Sequence, residues 1–421
     1  MTRTANRPGK WNTNPMNFSL EVTGGWSAPS AIGVLDSTVR KVTGMPGAKY
    51  DPQSVAELAD YGDRIGARWI EVNLTHGLLP STPRLLAAVN EMAKRKRRYL
   101  LVGTAFPTKK TIDEAIENGV DAVSISPWGG YSLEQALEGV EYVKERGVKV
   151  TTALRMAADA KAFEAMIDAA NRFTPSVEYI GLHENTGASS PDTWRYMMKE
   201  LHRQLVRNVP IVPHIHDTYG HSVGAAINAV LGGCRGIDLA MNGVGVHCGL
   251  ANMEEVVACL EIHHGVDTGI DLRLLTEYSR FVERVFRFGV HPNKALTGRE
   301  AFIEEMSHFV EDVLHARDKG EPRLHGFSPR IVGSEFRIVW GEATLHGEAT
   351  AMKLRQMGVA HGEAEVKKVH DEVERTLEGK RARDEYPYYL NELEFELTAR
   401  KALGLGAATR ATDQNNVGGS R

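Results

Sequence analysis

An alternation constrains this chain more than any other feature. From about residue 30, short β-rich runs take turns with longer amphipathic stretches. The runs are AIGVLDSTVR (31–40), WIEVN (69–73), YLLVG (99–103), AVSIS (122–126), VKVTTA (148–153), YIGLH (179–183), PIVPHIH (210–216) and GIDLAM (236–241). Between them lie segments such as SVAELADYGDRIG, SLEQALEGVEYVKERG and AFEAMIDAANRF, with apolar residues every three and four positions and often a Gly or Pro after the last turn. ANMEEVVACLEIHHG follows the eighth run. Eight strand–helix pairs within about 235 residues predict an α/β fold, a closed parallel (β/α)8 barrel of the TIM type, which typically needs about 250. A doubly wound open sheet is the competing reading. It brings fewer strands and a Gly-rich first turn, and no such turn follows VLDSTVR.

The alternation also divides the chain. Residues 1–30 precede it, 31–270 form the barrel, 271–403 form a helical C-terminal region, and 404–421 read as a disordered tail. Past 270, LRLLTEYSRFVERVFRFG and EAFIEEMSHFVEDVLHARDKG predict helices. An irregular link, EPRLHGFSPRIVGSEFRIVWG, leads to two more, GEATAMKLRQMG and AEVKKVHDEVERTLEGKRA. With 50 Lys and Arg against 54 Asp and Glu, the net charge of -4 offers nothing to a nucleic acid. The basic run KRKRR (94–98) precedes a strand, so it falls on the face opposite the barrel mouth and reads as the cationic end of a helix. Three cysteines fit a reducing cytoplasm. No apolar stretch approaches the roughly 18 residues of a membrane span, and the N-terminus lacks a signal peptide's apolar core. A soluble cytoplasmic protein is expected.

Barrels of this kind carry their sites on the loops after the C-terminal strand ends. That puts Arg40, Glu71, His183, His214 and His216 at the mouth, with the loop NGVGVHCG (242–249) and its Asn242, His247 and Cys248. Residues i and i+2 of a strand point the same way, so His214 and His216 can converge on one ligand. A metal ion and a hydrogen-bonded histidine pair both answer to that spacing.

Taken together these motifs resemble the DRE-TIM metallolyase superfamily (the HMGL-like, pyruvate carboxyltransferase type), and within it the 2-isopropylmalate and homocitrate synthases. The likeness runs over roughly residues 30 to 380. LDSTVRK resembles the first-strand motif, WIEVN the second-strand Glu motif, HIHDTYGHSVGAAINAVLGG the H-x-H segment, and NGVGVHCGLANMEEVV the loop and helix after strand eight. PNKALTGREAF and FSPRIVGSEFRIVWG resemble the synthases' connecting subdomains. HDTYG is closer to 3-hydroxy-3-methylglutaryl-CoA lyase. The resemblance implies an enzyme that makes or breaks a carbon–carbon bond beside a carbonyl, by aldol or Claisen chemistry on a small 2-oxo or hydroxy acid, with acyl-CoA as a possible co-substrate. A divalent metal would polarise the carbonyl. Arg40 would stabilise the oxyanion, with Glu71 as its acidic partner. A structural ion pair is the plainer reading of those two. A homodimer built on the exchanging post-barrel subdomains is also implied.

Departures from the family pattern bear on the metal. Lys41 stands where the family has a ligand Asp. Leu250 stands where it has a ligand Asn, with Asn252 two residues on. Phe309 replaces a His of the helical region, with His308 beside it. An ammonium in place of a carboxylate opposes a divalent cation. Two readings restore a working site. His183, at a position where biotin-dependent members carry a metal-binding modified lysine, would complete a three-histidine set with His214 and His216. Alternatively Lys41 replaces the metal, as a fixed charge or as a Schiff-base amine. Cys248 is one residue out of register with a reactive loop cysteine of the lyases, and a buried structural thiol is expected there. Besides the synthase-like reading stand a lyase or aldolase and a non-catalytic paralogue that binds a small acid or a protein partner.

Overall fold

Eight parallel strands close on themselves in chain order, β1-β2-β3-β4-β5-β6-β7-β8. In this computed structural model residues 14–24, 28–42, 45, 50–74, 82–156, 159–319 and 328–406 are described. The strands are β1 (Gly33–Asp36), β2 (Trp69–Val72), β3 (Leu100–Ala105), β4 (Ala122–Ile125), β5 (Lys149–Arg155), β6 (Ile180–Glu184), β7 (Ile211–Ile215) and β8 (Gly236–Leu239). A short α1 (Leu20–Thr23) precedes them. The surrounding helices are α2 (Thr38–Val42), α3 (Pro52–Ile65), α4 (Pro83–Ala93), α5 (Lys109–Glu117), α6 (Leu133–Glu145), α7 (Ala160–Phe173), α8 (Pro191–Gln204), α9 (Ser222–Leu231) and α10 (Met253–His264). The (β/α)8 barrel is therefore present. Asp51, Thr82, Thr108, Ser132, Asp159 and Ser190 each accept a backbone N–H at the start of the helix that follows them. Those caps set where the chain turns from loop to helix. Among the described residues no helix is long and apolar enough to cross a membrane.

The first run departs from expectation. It is not one strand over 31–40: β1 stops at Asp36, and Arg40 and Lys41 ride on the one-turn helix α2. Asp36 is the cause. Its buried carboxylate accepts the Thr38 backbone N–H at 2.8 Å, as an N-cap does, and the Tyr278 hydroxyl at 2.7 Å. The basic run sits as predicted, between α4 and β3, and is paired with carboxylates. Lys94 meets Glu91 at 2.8 Å, Arg97 meets Asp121 at 2.7 Å, Arg98 meets Asp63 at 3.3 Å, and Arg95 pairs with Asp60.

The division of the chain falls later than the pattern change at 270. One compact unit holds the barrel through Ala301 together with Arg330–Ser334. It includes α11 (Leu275–Phe286), whose Tyr278 stacks on Tyr61 of α3 with ring centroids 5.4 Å apart. The second unit runs over Phe302–Pro329 and onward from Glu335. Its helices α12 (Ser307–Lys319), α13 (Ala349–Gln356), α14 (Glu363–Ala382) and α15 (Glu392–Ala402) accompany a sheet of β9 (Ile303–Glu304), β10 (Arg337–Trp340) and β11 (Leu390–Asn391), in the order β11-β10-β9. Two of these strands are two residues long, too short for an alternation to show in sequence, so a purely helical region was expected. Trp340 and Phe395 stack at 4.0 Å in its core, with Val310, Leu314 and Leu377 around them. The tail expected from residue 404 lies, past 406, outside the described residues.

Candidate active site at the barrel mouth

Two layers of inward-facing side chains fill the barrel. The lower layer is apolar: Leu35, Trp69, Val102, Ala122, Tyr179 and Val212 pack together and are buried. Two residues further along four of these strands stand Glu71, Thr104, Ser124 and His214, and all four line a cavity of about 300 Å³. The change from apolar plug to polar cup follows from the strand period of two. The cavity is also lined by Arg40, Lys41, Asn73, Ser126, Trp128, His183, Asn185 and His216.

At its floor is a network centred on Arg40. The guanidinium pairs with Glu71 and, through Nη2, donates to Asp238 Oδ2 at 3.1 Å. Nη2 also stands 2.8 Å from His214 Nδ1, which is itself 2.6 Å from Asp238 Oδ2. Asp238 Oδ2 accepts from both neighbours, so His214 carries its hydrogen on Nδ1 and turns the Nε2 lone pair to His216, 3.2 Å away. Tyr179 donates to the other oxygen of Glu71 at 3.3 Å. Burial opposes the Arg40 cation, but Glu71 and Asp238 outweigh it and raise its pKa. The histidines go the other way. Burial, then the neighbouring charge of His214, holds His183 well below the usual imidazole range. Burial, then Lys41, does the same for His214 and brings His216 down to about 4. All three are neutral imidazoles at neutral pH.

Lys41 is the exceptional group. It is buried, at 6% exposure, and its amine takes no hydrogen bond or ion pair from any described residue. Burial, then the adjacent Arg40 cation, lowers its pKa to about 7.

Arg40, Lys41, Glu71, His183, His214 and His216 therefore meet in one cavity. His183 stacks on His214 with centroids 4.2 Å apart and touches Trp128 edge-on at 4.7 Å. Asn242 does not join them. It holds the loop, donating to the Ser279 carbonyl at 2.9 Å and accepting the Ser279 hydroxyl at 2.6 Å. His247 is exposed, with its ring 5.4 Å from that of His216. Cys248 is exposed and unpaired, not buried, and follows His247, whose φ is +57°. His308 lies in the second unit, exposed in the first turn of α12. Asp238 was missed. Its signal was present: it is the lone carboxylate in the apolar run GIDLAM, and β8 puts it in register with His214 of β7.

The donor set does not fit the metal that the family pattern implies. The Nε2 atoms of His214 and His216 converge, but the Asp position is filled by Lys41, whose charge faces both rings. The Asn position is filled by the buried, apolar Leu250. Among the described residues, the group of potential ligand atoms lying within 4.8 Å of one another is His183, His214 and Asp238, rather than three histidines. There the Arg40 cation already occupies Asp238, and His214 spends Nδ1 on the same carboxylate. A divalent ion would have to displace a charge of its own sign.

A second cavity of about 600 Å³ adjoins this one through His183 and Asn185, and is lined by Arg155, Phe163, Glu184, Thr193 and Tyr196 among others. His183 and Asn185 are common to both cavities, while the guanidinium of Arg40, the amine of Lys41 and the His214 and His216 imidazoles line the smaller one.

Residues 31–282 match the family model described as HMGL-like. A putative (R)-citramalate synthase of Methanopyrus kandleri is 30% identical over 350 residues, covering 79% of this chain and 66% of that protein. The 2-isopropylmalate synthase of Methanocaldococcus jannaschii is 28% identical over 380 residues, covering 85% and 70%. Among solved structures, the HMG-CoA lyase of Bacillus subtilis superposes with a TM-score of 0.55 at 16% identity, covering 63% of this chain and 96% of that one. That likeness is one of fold.

Proposed function

The chain belongs to the HMGL-like family, and on that premise we propose that it is an enzyme making or breaking a carbon–carbon bond beside the carbonyl of a small 2-oxo or hydroxy acid. The observation that carries this reading is the buried Arg40–Glu71–Asp238–His214 network opening onto a polar cavity. A guanidinium whose orientation is fixed by two carboxylates is preorganised to take an acid's carboxylate or a developing oxyanion. Glu71 and Asp238 position it. Neutral imidazoles at His183, His214 and His216 can accept or return a proton. The second cavity supports a second reactant, for which acyl-CoA, drawn from the synthases and the lyases, and an aldehyde or ketone are the two candidates. We read the working form as a cytoplasmic homodimer, which light scattering tests.

The experiment pairs a panel of 2-oxo acids with acyl-CoA and with aldehyde acceptors, following thiol release in one direction and oxo-acid release in the other. Arg40→Ala should remove turnover by about 10²–10³-fold, the loss of one preorganised oxyanion donor. Wild-type levels of turnover in that variant would refute the role. Ligand-induced thermal shifts without turnover would instead favour a non-catalytic acid-binding paralogue, the reading supported by the replaced metal positions Lys41 and Leu250.

A further inference from the structure

We infer that Lys41 is a Schiff-base lysine, whose ε-amine condenses with the C2 carbonyl of a 2-oxo acid in the barrel-mouth cavity and takes over the activating role of the metal. The inference rests on the reading of this cavity as an oxo-acid site.

Three features support it. Lys41 lines the cavity yet is only 6% exposed. The nearby carboxylates Glu71 and Asp238 are bonded to Arg40, and no described residue gives the amine a counter-ion or a hydrogen bond. Arg40 is its neighbour in sequence and repels a second cation. A buried ammonium without a partner is costly, whereas a neutral amine is not. Desolvation beside another cation is the setting that frees a lysine lone pair for nucleophilic attack. The lowered pKa, about 7, agrees with that geometry.

The chemistry also narrows the substrate. The Lys41 lone pair forms a C–N bond to C2, the oxygen leaves as water after proton transfer, and an iminium remains. A C3 proton then passes to a neutral imidazole, for which His183 and His216 line the same cavity. The resulting enamine attacks an acceptor carbonyl through C3, and water returns the free amine and a 4-hydroxy-2-oxo acid. In reverse the sequence is a retro-aldol cleavage. Attack of a carbon nucleophile on C2 of the iminium would leave the product joined to Lys41 by a C–N single bond with no imine to hydrolyse. The substrate is therefore a 2-oxo acid with a C3 hydrogen acting as aldol donor, and the partner is an aldehyde or ketone.

The test is reductive trapping of the full chain with borohydride and pyruvate, 2-oxobutyrate or 2-oxoglutarate, read by intact mass and peptide mapping. The expected result is one equivalent of adduct on Lys41, with the mass of the acid less water plus H2, absent from Lys41→Arg and Lys41→Met. A second readout is exchange of C3 hydrogens for deuterium in D2O, which should proceed unchanged in the presence of chelator and fall to the uncatalysed rate in Lys41→Arg. Turnover or exchange retained by Lys41→Arg, whose guanidinium keeps the charge but cannot form the imine, overturns the inference. Thermal-shift binding of the acids by wild type with no adduct overturns the Schiff base and leaves the acid-site reading standing. Neither binding nor adduct with any of the acids overturns both.

Discussion

Replacing Asp238 with Asn keeps the side chain's shape and removes its charge, so it isolates what that charge does. Asp238 Oδ2 accepts from His214 Nδ1 at 2.6 Å and from Arg40 Nη2 at 3.1 Å. Hydrogen bonds to a charged group contribute about 1.5–3 kcal/mol and neutral ones about 0.5–1.5 kcal/mol, so the bond from neutral His214 should lose about 1–1.5 kcal/mol, while that from Arg40 stays charge-assisted through the guanidinium. The expected loss is therefore at least about 1–1.5 kcal/mol. Breaking a buried pair outright costs about 3–5 kcal/mol, and the smaller figure applies because Arg40 keeps Glu71. Two compact units need not unfold together, so a global denaturation curve is the wrong instrument. Hydrogen exchange of peptides from β7 and β8 reads the opening free energy where the bonds are. A change below about 0.5 kcal/mol in those peptides, the level of an uninvolved surface substitution, would refute the network as drawn.

Other outcomes follow from the same geometry. Lys41 gives up its proton at about 7 when folded, against 10.5 ordinarily, so across that window the unfolded chain binds more protons and stability from this group rises with pH. Hydrogen exchange of the peptides over 33–42 in wild type and Lys41→Met, corrected for intrinsic rates at both ends of the window, should show wild type gaining on the variant; a constant difference would contradict the burial of an unpaired amine. Gly249 has φ +88°, and a Cβ there would lie 2.1 Å from the Gly243 carbonyl oxygen. Gly249→Ala should therefore cost at least about 1–3 kcal/mol and loosen the loop after β8, seen as faster exchange in 242–249; unchanged exchange would count against it. Lys41→Asp combined with Leu250→Asn should raise divalent-metal affinity steeply, by restoring oxygen ligands beside the converging His214 and His216. Calorimetric titration of both forms decides this, and equal affinity would show that the two positions are not what excludes the ion.

Much of the fold was legible because it is periodic. Each of the eight runs contains or overlaps a barrel strand, and a strand's period of two brought Glu71, His183, His214 and His216 to one face. What escaped lacked a period. The helix α2 is a single turn, set by Asp36 capping Thr38 and by a hydroxyl from Tyr278, far along the chain. The sheet of β9, β10 and β11 joins segments of two to four residues that pair only in space. Cys248 is exposed on an irregular loop with positive φ at His247, a conformation no spacing rule predicts.

The residues available for chemistry were determined by the sequence alone: an arginine next to a lysine where the family has Arg–Asp, an H-x-H pair, and an apolar residue in place of a ligand. Local order on a strand or helix also follows from sequence, because backbone sterics fix which neighbours share a face. Only the tertiary structure decided what those residues are to one another. It gave both carboxylates to Arg40, including Asp238 from a strand nearly two hundred residues away, and left Lys41 without a described partner in the same cavity. Charge, burial and protonation depend on distances through space, which barrel closure sets and the order of the chain does not.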